Sequence, residues 1–422
     1  MKRGFYTIMA AQFFSSLADN ALLIAAIGLL IEMSAPEWMR PLLKLFFTIS
    51  YVLLAPFVGA FADSMPKGRV MFITNFIKVA GCALLFFAIH PLLAYAIVGL
   101  GAAAYSPAKY GILTELLPPE KLVAANGWIE GTTVGSIILG TMVGGALISP
   151  AVSGWLLAVD LPGWDTGIDT AAESAIVVIS LFYLVAAAFN WGIPDTGARY
   201  TKQHRNPIKL IKDFWHCHLT LWRDKLGQIS LAVTTLFWGA GATLQFIVLK
   251  WAEVQLAMPL DQAAILQGIV ALGIAIGAVL AARFVPLKKT PSVLKLGVAM
   301  GLVVPLMTLV TTMPGAIPLL VLIGALAGYF VVPMNALLQH RGHVMLSAGH
   351  SIAVQNFNEN LNVLLMLALY ALLIKAEVHV NTVIVIFGLF VAFTMLLVIR
   401  RYRHNKKHHD LDSLIGIEKH PH

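Results

Sequence analysis

Long apolar segments recur along almost the whole chain, separated by short polar interruptions, and this pattern constrains the fold more than any other feature. A helix needs about 20 mostly apolar residues to cross the hydrocarbon core of a bilayer. Of the 422 residues, 59% are hydrophobic and 12% are charged, whereas soluble domains carry about 25% charged residues. Since helices satisfy their own backbone hydrogen bonds in lipid, the chain is predicted to be an all-α integral membrane protein.

The apolar segments predict twelve transmembrane helices in two groups of six. The first six spans are 5–31, 41–62, 70–89, 92–114, 122–148 and 171–193. The second six are 228–253, 262–284, 291–312, 316–339, 346–374 and 381–400. We expect an N-terminal six-helix bundle over 1–194, a cytoplasmic basic linker over 195–227, a C-terminal six-helix bundle over 228–401 and a cytoplasmic basic tail over 402–422.

The positive charges predict how the chain is oriented. The net charge is +8, which in a soluble protein could indicate nucleic-acid binding, but here the charges follow the positive-inside rule and no nucleic-acid partner is expected. With the N-terminus inside, all but five of the 29 Lys and Arg fall in cytoplasmic loops, tails or adjoining helix ends. The exceptions are Arg40, Lys44, Lys78, Lys250 and Lys375. The longest outer loop, 149–170, carries Asp160, Asp165 and Asp169 and no Lys or Arg. Both termini are therefore predicted to be cytoplasmic.

Two cysteines, Cys82 and Cys217, specify neither a disulfide framework nor a metal-ligand cluster, and no cofactor or metal is expected.

The first apolar segment follows two basic residues, as a signal peptide would. It is too long for one and carries Asp19 at its centre, so we expect it to be retained.

Two basic regions lie outside the spans. In segment 206–225, Ile208, Ile211, Trp215, Leu219 and Trp222 recur at helical spacing, which predicts an interfacial basic helix. It either binds anionic lipid headgroups or only connects the two bundles.

The tail from Arg400 is rich in basic residues and His, and it is predicted to be disordered and to lack a metal-ligand spacing.

The loop after the second span, GAFADSMPKGR over 59–69, places an acid four residues after a glycine and two bases around another glycine. It resembles the loop signature of the major facilitator superfamily. In that family the acid lies near a helix N-terminus of the opposite bundle, pairs with a loop base and latches the cytoplasmic side. The resemblance makes Asp63, Lys67 and Arg69 candidate gating residues, and Asp63 is expected to form the latch with Arg69. The alternative is an ordinary turn whose positive charges orient the helices.

Polar residues inside the apolar spans are candidate binding residues, because hydrocarbon penalises a central charge by about 3 kcal/mol or more unless it faces a cavity or a partner. In the first bundle, Asp19 near the middle of the bilayer and Asn20 lie on one helix face, and Lys78, Lys109, Tyr110 and Glu130 are placed in the cytoplasmic half. The second bundle contributes Asn335, Gln339, Gln355, Asn356 and Glu359. Gln355 and Glu359 are expected to face Asp19 and Asn20. Alternatively, these side chains form hydrogen bonds and ion pairs that only hold the helices together.

Both signs of charge in an apolar cavity suit a substrate that is itself charged and apolar, such as a zwitterionic lipid. A proton-coupled carrier for a drug or metabolite would present the same residues, with Asp19 and Glu359 as proton sites. An intramembrane enzyme would need a nucleophile and base, or metal ligands, at one depth. His90, His340 and His343 lie near predicted helix ends without such a constellation, so no enzymatic activity is expected.

Several strings are similar to the bacterial lysophospholipid transporter family and cover both bundles. They are ADNALL over 18–23, GAAAYSPAKYGIL over 101–113, LFWGAG over 236–241, FVVPMNALLQ over 330–339, and IAVQN over 352–356 followed by Glu359 and Asn360. The resemblance implies a major facilitator fold. It also implies transport of lysophosphatidylethanolamine and lysophosphatidylglycerol from the outer to the cytoplasmic leaflet of the bacterial inner membrane, for reacylation. The implied partners are this lipid, the surrounding membrane lipids and a separate cytoplasmic-face acyltransferase that is also an acyl carrier protein ligase.

One residue departs from the family pattern. Relatives usually carry Arg where this chain has Gln245, in the string that follows Gly241. Since that Arg could bind phosphate, headgroup preference could differ here. Lys250 is a candidate replacement, although it lies more than one helical turn away. We therefore count Gln245 and Lys250 among the candidate binding residues.

Overall fold

The described part of the fold consists of α-helices and short 3₁₀ segments. A computed structural model describes residues 3–36, 39–87, 89–158, 168–201, 203, 206–258 and 260–415, and no β-strand occurs among them. The predicted outer-loop acids Asp160 and Asp165, the linker bases Lys202 and Arg205, and tail residues 416–422 lie outside the described residues.

The first part of the chain contains eight α-helices and one short 3₁₀ segment among its described residues. They are α1 (Arg3–Glu32), α2 (Met39–Leu53), α3 (Ala55–Asp63), α4 (Lys67–Phe86), α5 (Pro91–Leu116), the 3₁₀ segment Pro119–Lys121, α6 (Leu122–Ile148), α7 (Pro150–Leu157) and α8 (Ala171–Trp191). The predicted span 41–62 is broken between α2 and α3, which bend by 65°. Pro56, in the first turn of α3, has no N–H to continue the preceding helix, which explains the break.

The second part of the described chain begins with the predicted interfacial helix, α9 (Pro207–Arg223). It continues with α10 (Gly227–Gln255), α11 (Leu260–Phe284), the 3₁₀ segment Leu287–Val293, α12 (Leu294–Val303), the 3₁₀ segment Val304–Leu309, α13 (Met313–Met345), α14 (Ala348–Lys375) and α15 (Val380–His408). The predicted span 291–312 thus has a short α-helical centre between two 3₁₀ segments. Pro305 at the start of the second segment removes an α-helical hydrogen bond and explains the change.

The hydropathy of these helices confirms a multi-pass membrane protein. Among the described residues, eleven helices are long and apolar enough to cross a bilayer, and up to twelve spans result if the bent pair α2 and α3 is one of them. The prediction of twelve transmembrane helices agrees with this number.

The chain divides into two compact units. The first comprises residues 1–112 and 135–211, and the second comprises 113–134 and 212–422. The four predicted segments of the chain, with the three boundaries between them, stay predictions.

Close helix packing in both units depends on glycine. In the first unit, α6 crosses α1 at Gly140 and Gly144, where an added Cβ would lie 2.5 Å from the Leu17 carbonyl oxygen and 2.8 Å from that of Ala21. In the second unit, Gly277 of α11 and Gly328 of α13 likewise face the carbonyl groups of the opposite helix. Small residues at such spacing let helix backbones approach in a membrane, where van der Waals packing drives association.

The chain after Arg400 corrects the prediction of a disordered tail. Helix α15 continues to His408, Leu411 and Ile415 are buried, and Arg341 donates a hydrogen bond of 3.0 Å to the Leu414 carbonyl. Basic residues at a helix C-terminus interact favourably with the helix dipole, which explains why the helix persists beyond the apolar span.

Candidate functional site

Asp19 on α1 and Lys78 on α4 form an ion pair within the first unit. Lys78 Nζ lies 2.8 and 2.9 Å from the two carboxylate oxygens of Asp19. The Lys78 side chain is 1% exposed, whereas that of Asp19 is 20% exposed. Hydrocarbon penalises an isolated charge, so this pairing explains how an apolar bundle tolerates both residues. Of the two charged groups, the Asp19 carboxylate is therefore the one that a ligand can reach.

The ion pair brings together two residues that the sequence analysis assigns to different depths, Asp19 near the middle of the bilayer and Lys78 in its cytoplasmic half. The depth of the pair in the membrane stays a prediction. Helix α4 begins at Lys67 rather than at residue 70. Each residue advances an α-helix by about 1.5 Å, so Lys78 lies about 4.5 Å further from the start of α4 than from the start of the predicted span.

Neutral side chains complete the hydrogen bonding of the pair. Tyr183 Oη on α8 donates to Asp19 Oδ1 at 2.7 Å. Lys78 Nζ also donates to Ser15 Oγ at 3.0 Å, and Ser15 Oγ donates to Asn75 Oδ1 at 2.8 Å. Three helices therefore hold the charged groups, and the carboxylate is oriented from two sides.

Aromatic rings surround the Lys78 ammonium group. Its Nζ lies 5.0 Å from the centroid of the Tyr105 ring and 5.4 Å from that of Tyr183. Such cation–π geometry stabilises a desolvated cation by about 2 kcal/mol. The sequence interpretation missed both tyrosines as well as Ser15 and Asn75. The sequence does hold a signal for Ser15 and Asn75. Ser15 precedes Asp19, and Asn75 precedes Lys78, by about one helical turn, which puts each polar residue on the same helix face as the charge.

A second polar cluster lies within the second unit. Gln355 Nε2 on α14 donates to Asn335 Oδ1 on α13 at 3.0 Å and to Glu359 Oε1 at 2.7 Å. All three side chains are buried, as is the neighbouring Asn356. The structure therefore brings together three of the predicted site residues, and one amide bridges the other two.

Gln339 is joined to a residue that the sequence interpretation did not single out. Its amide and that of Asn126 on α6 exchange two hydrogen bonds of 2.9 Å, and Asn126 also donates to the Leu122 carbonyl. Because the amide nitrogens and oxygens of both residues bond to protein groups, these contacts agree with the alternative that some amides hold helices together.

Asn20 and Lys109 have contacts with residues close to them in the sequence. Asn20 is half-buried and its amide donates to the Ser16 carbonyl at 2.8 Å, within α1. Lys109 Nζ lies 4.2 Å from the ring centroid of its neighbour Tyr110, and Glu130 is buried on α6. The predicted facing of Asp19 and Asn20 by Gln355 and Glu359 stays a prediction, as do the roles of these residues.

Gln245 and Lys250 on α10 are both engaged with protein groups. Gln245 Nε2 donates to Gln267 Oε1 on α11 at 2.7 Å. Lys250 pairs with Glu253 at 3.0 Å, one turn along its own helix, and its side chain is 43% exposed. The charge of Lys250 is thus compensated locally, which weakens its candidacy as a substitute for the family Arg.

The loop after α3 shows which base pairs with its acid. Lys67 Nζ lies 2.5 Å from Asp63 Oδ1, donates to the Ala62 carbonyl at 2.8 Å and stands 4.8 Å from the Tyr200 ring centroid. Both members of this pair are buried, whereas Arg69 is exposed. This corrects the expected pair of Asp63 with Arg69: within this segment, the base that pairs with Asp63 is Lys67.

Arg69 instead contributes to an exposed group of charges at Asp195. Two hydrogen bonds from Arg199, with a further one from the Gly197 backbone, hold the pKa of Asp195 at about 2, and the charge of Arg69 adds to this effect. The Gly197 backbone has a φ of +79°, a conformation that glycine adopts without strain.

Helix α9 shows the two-sided character expected of an interfacial helix. Phe214 is buried, with its ring centroid 5.4 Å from that of Phe357 on α14. Ile208, Trp215 and Leu219 remain exposed on other positions of the same helix. An exposed apolar stripe beside basic residues is typical of a helix that lies in the membrane interface.

Among the described residues, no group of three or more His, Cys, Asp or Glu is placed to hold a metal ion. Neither Cys82 nor Cys217 forms a disulfide bond in the part of the chain that the structure describes.

Comparison with known proteins identifies the class to which this fold belongs. The model of the family described as Major Facilitator Superfamily matches residues 8–361. The human organic anion transporter MFSD10 (TETRAN) has a similar structure, with a TM-score of 0.71 at 17% identity over 95% of this chain and 100% of that one. This chain belongs to the Major Facilitator Superfamily, a superfamily of transporters and not of enzymes.

Two relatives define a narrower family. The lysophospholipid transporter LplT of Yersinia enterocolitica is 43% identical over 382 residues, which cover 90% of this chain and 89% of the relative. The protein of that name from Yersinia pestis is 42% identical over 377 residues, covering 89% of this chain and 88% of the relative. Within the superfamily, this chain belongs to the lysophospholipid transporter family, as the quoted strings predicted.

Proposed function

We propose that this chain is a lysophospholipid transporter that moves lysophosphatidylethanolamine and lysophosphatidylglycerol from the outer to the cytoplasmic leaflet of the bacterial inner membrane. The observation that carries this proposal is the ion pair of Asp19 and Lys78, which puts both signs of charge inside an apolar bundle and leaves the carboxylate accessible. The names of the relatives at 43% and 42% identity support the same substrate class.

The ion pair suits a lipid headgroup by exchange of partners. An ethanolamine ammonium approaches the open edge of Asp19 and pairs with its carboxylate, which releases Lys78 to the phosphate as a charge-assisted donor. The exchange keeps each charge compensated, so the cost of desolvating both groups is already met before the lipid binds. Phosphatidylglycerol-type headgroups share the phosphate, so Lys78 is the residue common to both substrates.

The remaining candidate residues are assigned by chemistry. These residues contribute hydrogen bonds and charges along the path of the headgroup. In the first part of the chain they are Asn20, Lys109, Tyr110 and Glu130, and in the second they are Gln245, Asn335, Gln355, Asn356 and Glu359. In the second part of the chain, the Gln355 amide donates to both Asn335 and Glu359. This supports a role for the three residues in binding the headgroup, since the Glu359 carboxylate is held by a neutral amide.

Gating is assigned to the loop after α3. Asp63 and Lys67 form the latch, and Arg69 supports it from the exposed side through its charge. Opening the cytoplasmic side would require the buried Asp63 carboxylate to change partners, so a balanced pair at this place allows two states of similar energy.

The proposed setting is the inner membrane with both termini cytoplasmic, as the distribution of Lys and Arg predicts. A lysophospholipid delivered to the cytoplasmic leaflet is a substrate for reacylation. The proposed partner is therefore a separate acyltransferase that is also an acyl carrier protein ligase.

The test follows the lipid through that reaction. Radiolabelled lysophosphatidylethanolamine is added to wall-stripped cells that lack their own transporter and acyltransferase, and the acyltransferase is supplied alone or together with this chain. We expect conversion to diacyl phospholipid only when this chain is present, and loss of conversion in Asp19→Ala at equal protein level.

Two controls decide the interpretation. Permeabilised cells should convert the lipid without this chain, which isolates the crossing step. No conversion by a folded, membrane-inserted protein would overturn the proposal and favour the proton-coupled carrier for a soluble solute, which would be detected by proton movement on adding such a solute.

A further inference from the structure

A basic groove lies between α12 and α15 in the second unit, apart from the clusters of polar residues described above. It has a volume of about 630 Å³. Its lining consists of Lys295 and Val298 from α12, and Leu396, Ile399, Arg400, Arg403, His404 and Lys407 from α15. The groove therefore combines several cations with an apolar floor.

The apolar and the cationic lining residues of α15 lie in successive parts of the helix. Leu396 and Ile399 are followed on the same face by Arg400, Arg403 and Lys407, at helical intervals of three or four residues. The apolar stretch 380–399 is long enough to cross about 30 Å of hydrocarbon. The cations therefore begin where the hydrocarbon ends, at the level of the lipid headgroups.

Four cations of the groove lack an anionic partner in the part of the chain that the structure describes. Among the described residues, no carboxylate lies within ion-pair distance of Lys295, Arg400, Arg403 or Lys407, and all four side chains are exposed. By contrast, cations of α15 outside the groove are engaged. Lys406 pairs with Asp412 at 3.4 Å, and Arg401 donates to Gln228 at 3.0 Å.

We propose that this groove binds an anionic phospholipid of the surrounding leaflet. Its phosphate lies among Arg400, Arg403 and Lys407, with Lys295 opposite, and one acyl chain runs along Val298 and Leu396. Basic pockets between transmembrane helices are suited to anionic headgroups. The described lining residues include no carboxylate to receive an ammonium group, so a lipid of net negative charge is favoured over phosphatidylethanolamine, and the apolar floor favours a lipid over free phosphate.

This lipid is not the transported substrate, and its binding is measured without transport. The purified full chain in mild detergent is titrated with phosphatidylglycerol, with phosphatidylethanolamine of the same acyl chains, or with inorganic phosphate. Bound lipid is counted by native mass spectrometry. We expect phosphatidylglycerol to bind more tightly than phosphatidylethanolamine, and inorganic phosphate to compete only weakly.

The decisive comparison uses two variants of equal charge on one helix. Each cation near an anionic lipid contributes a factor of about five to binding. Arg403→Gln/Lys407→Gln should therefore weaken phosphatidylglycerol binding by roughly 25-fold. Arg401→Gln/Lys406→Gln, which lies outside the groove, should leave it within about twofold. A second test pair, Lys295→Gln/Arg400→Gln, repeats the result if the first variant folds poorly.

Three outcomes would overturn the proposal. Equal weakening in the control variant would indicate a general effect of net charge. Equal binding of phosphatidylethanolamine would show that the groove does not select anionic lipid, and full competition by inorganic phosphate would identify a free-phosphate site. None of these outcomes bears on the proposed transport, which the conversion of lysophosphatidylethanolamine measures separately.

Discussion

Lys78 Nζ lies within 2.9 Å of both carboxylate oxygens of Asp19, yet the lysine is buried while the carboxylate is 20% exposed. This asymmetry means that the two residues respond differently to substitution. Removing the lysine leaves a partly solvated anion, whereas removing the aspartate leaves a desolvated cation among aromatic rings. The pair can therefore be tested for stability and for transport in the same set of variants.

Asp19→Asn is expected to destabilise the protein by about 3 kcal/mol, because a buried charge that loses its partner costs that order of free energy. Asp19→Asn/Lys78→Gln should recover most of this loss, since both charges are then gone, but it should not recover lipid conversion. Thermal unfolding in detergent and the conversion assay measure the two properties. Wild-type conversion by the double variant would reduce the pair to a structural role.

Lys67→Gln is expected to slow lipid conversion by roughly tenfold or more, because a hydrogen bond to a charged group contributes about 1.5–3 kcal/mol. Arg69→Gln removes the same charge from the same loop but leaves the pair of Asp63 and Lys67 intact. It should therefore change the initial rate by less than about threefold, as expected for an exposed cation. A larger effect at Arg69 than at Lys67 would contradict the latch as assigned here.

The spans were predictable because hydrocarbon imposes one simple rule on every helix that crosses it. The predicted span 122–148 coincides with α6, and most other ends differ by a few residues. Two features were not predictable from hydropathy. The break at Leu54 depends on how Pro56 is used, since proline is tolerated in the first turn of a helix. The extension of α15 to His408 depends on tertiary contacts as well as on the helix dipole, such as the hydrogen bond from the Asn405 amide to the Lys225 carbonyl.

The candidate residues were predictable one by one, but their pairing was not. Asp19, Lys78 and Glu359 stood out because each places a charge in an apolar segment. Which residues meet depends on the rotation and depth of each helix, and one sequence gives neither with enough accuracy. The same limit hid Tyr183, whose apolar surroundings on α8 gave no sign that its hydroxyl group donates to Asp19.

The pair of Asp224 and Arg341 predicts a pH-dependent stability. Burial raises the pKa of Asp224, but hydrogen bonds of 3.1 and 2.8 Å from Arg341, together with its charge, lower the pKa below the usual 3.8. A lowered folded-state pKa stabilises the protein above the unfolded-state value, and this contribution is lost as pH falls through the folded-state value.

The melting temperature of the wild type should therefore exceed that of Asp224→Asn by a constant amount from pH 7 to about 5, and the difference should shrink below about pH 4. The control compares Arg341→Gln with the double variant Asp224→Asn/Arg341→Gln. The difference between their melting temperatures should not shrink in this way below about pH 4, since both proteins lack the ion pair. A difference that stays constant down to pH 3 would contradict the assignment.

The two thiols of the chain test its proposed orientation without further engineering. Cys217 lies on α9, between two spans, and is partly exposed, whereas Cys82 is buried within α4. With both termini cytoplasmic, a membrane-impermeant maleimide should label Cys217 in inside-out vesicles and not in intact wall-stripped cells. Cys217→Ser should abolish the labelling, because the buried Cys82 is out of reach of the reagent. Labelling of Cys217 in intact cells would place α9 on the outer face and would reverse the proposed direction of the whole chain.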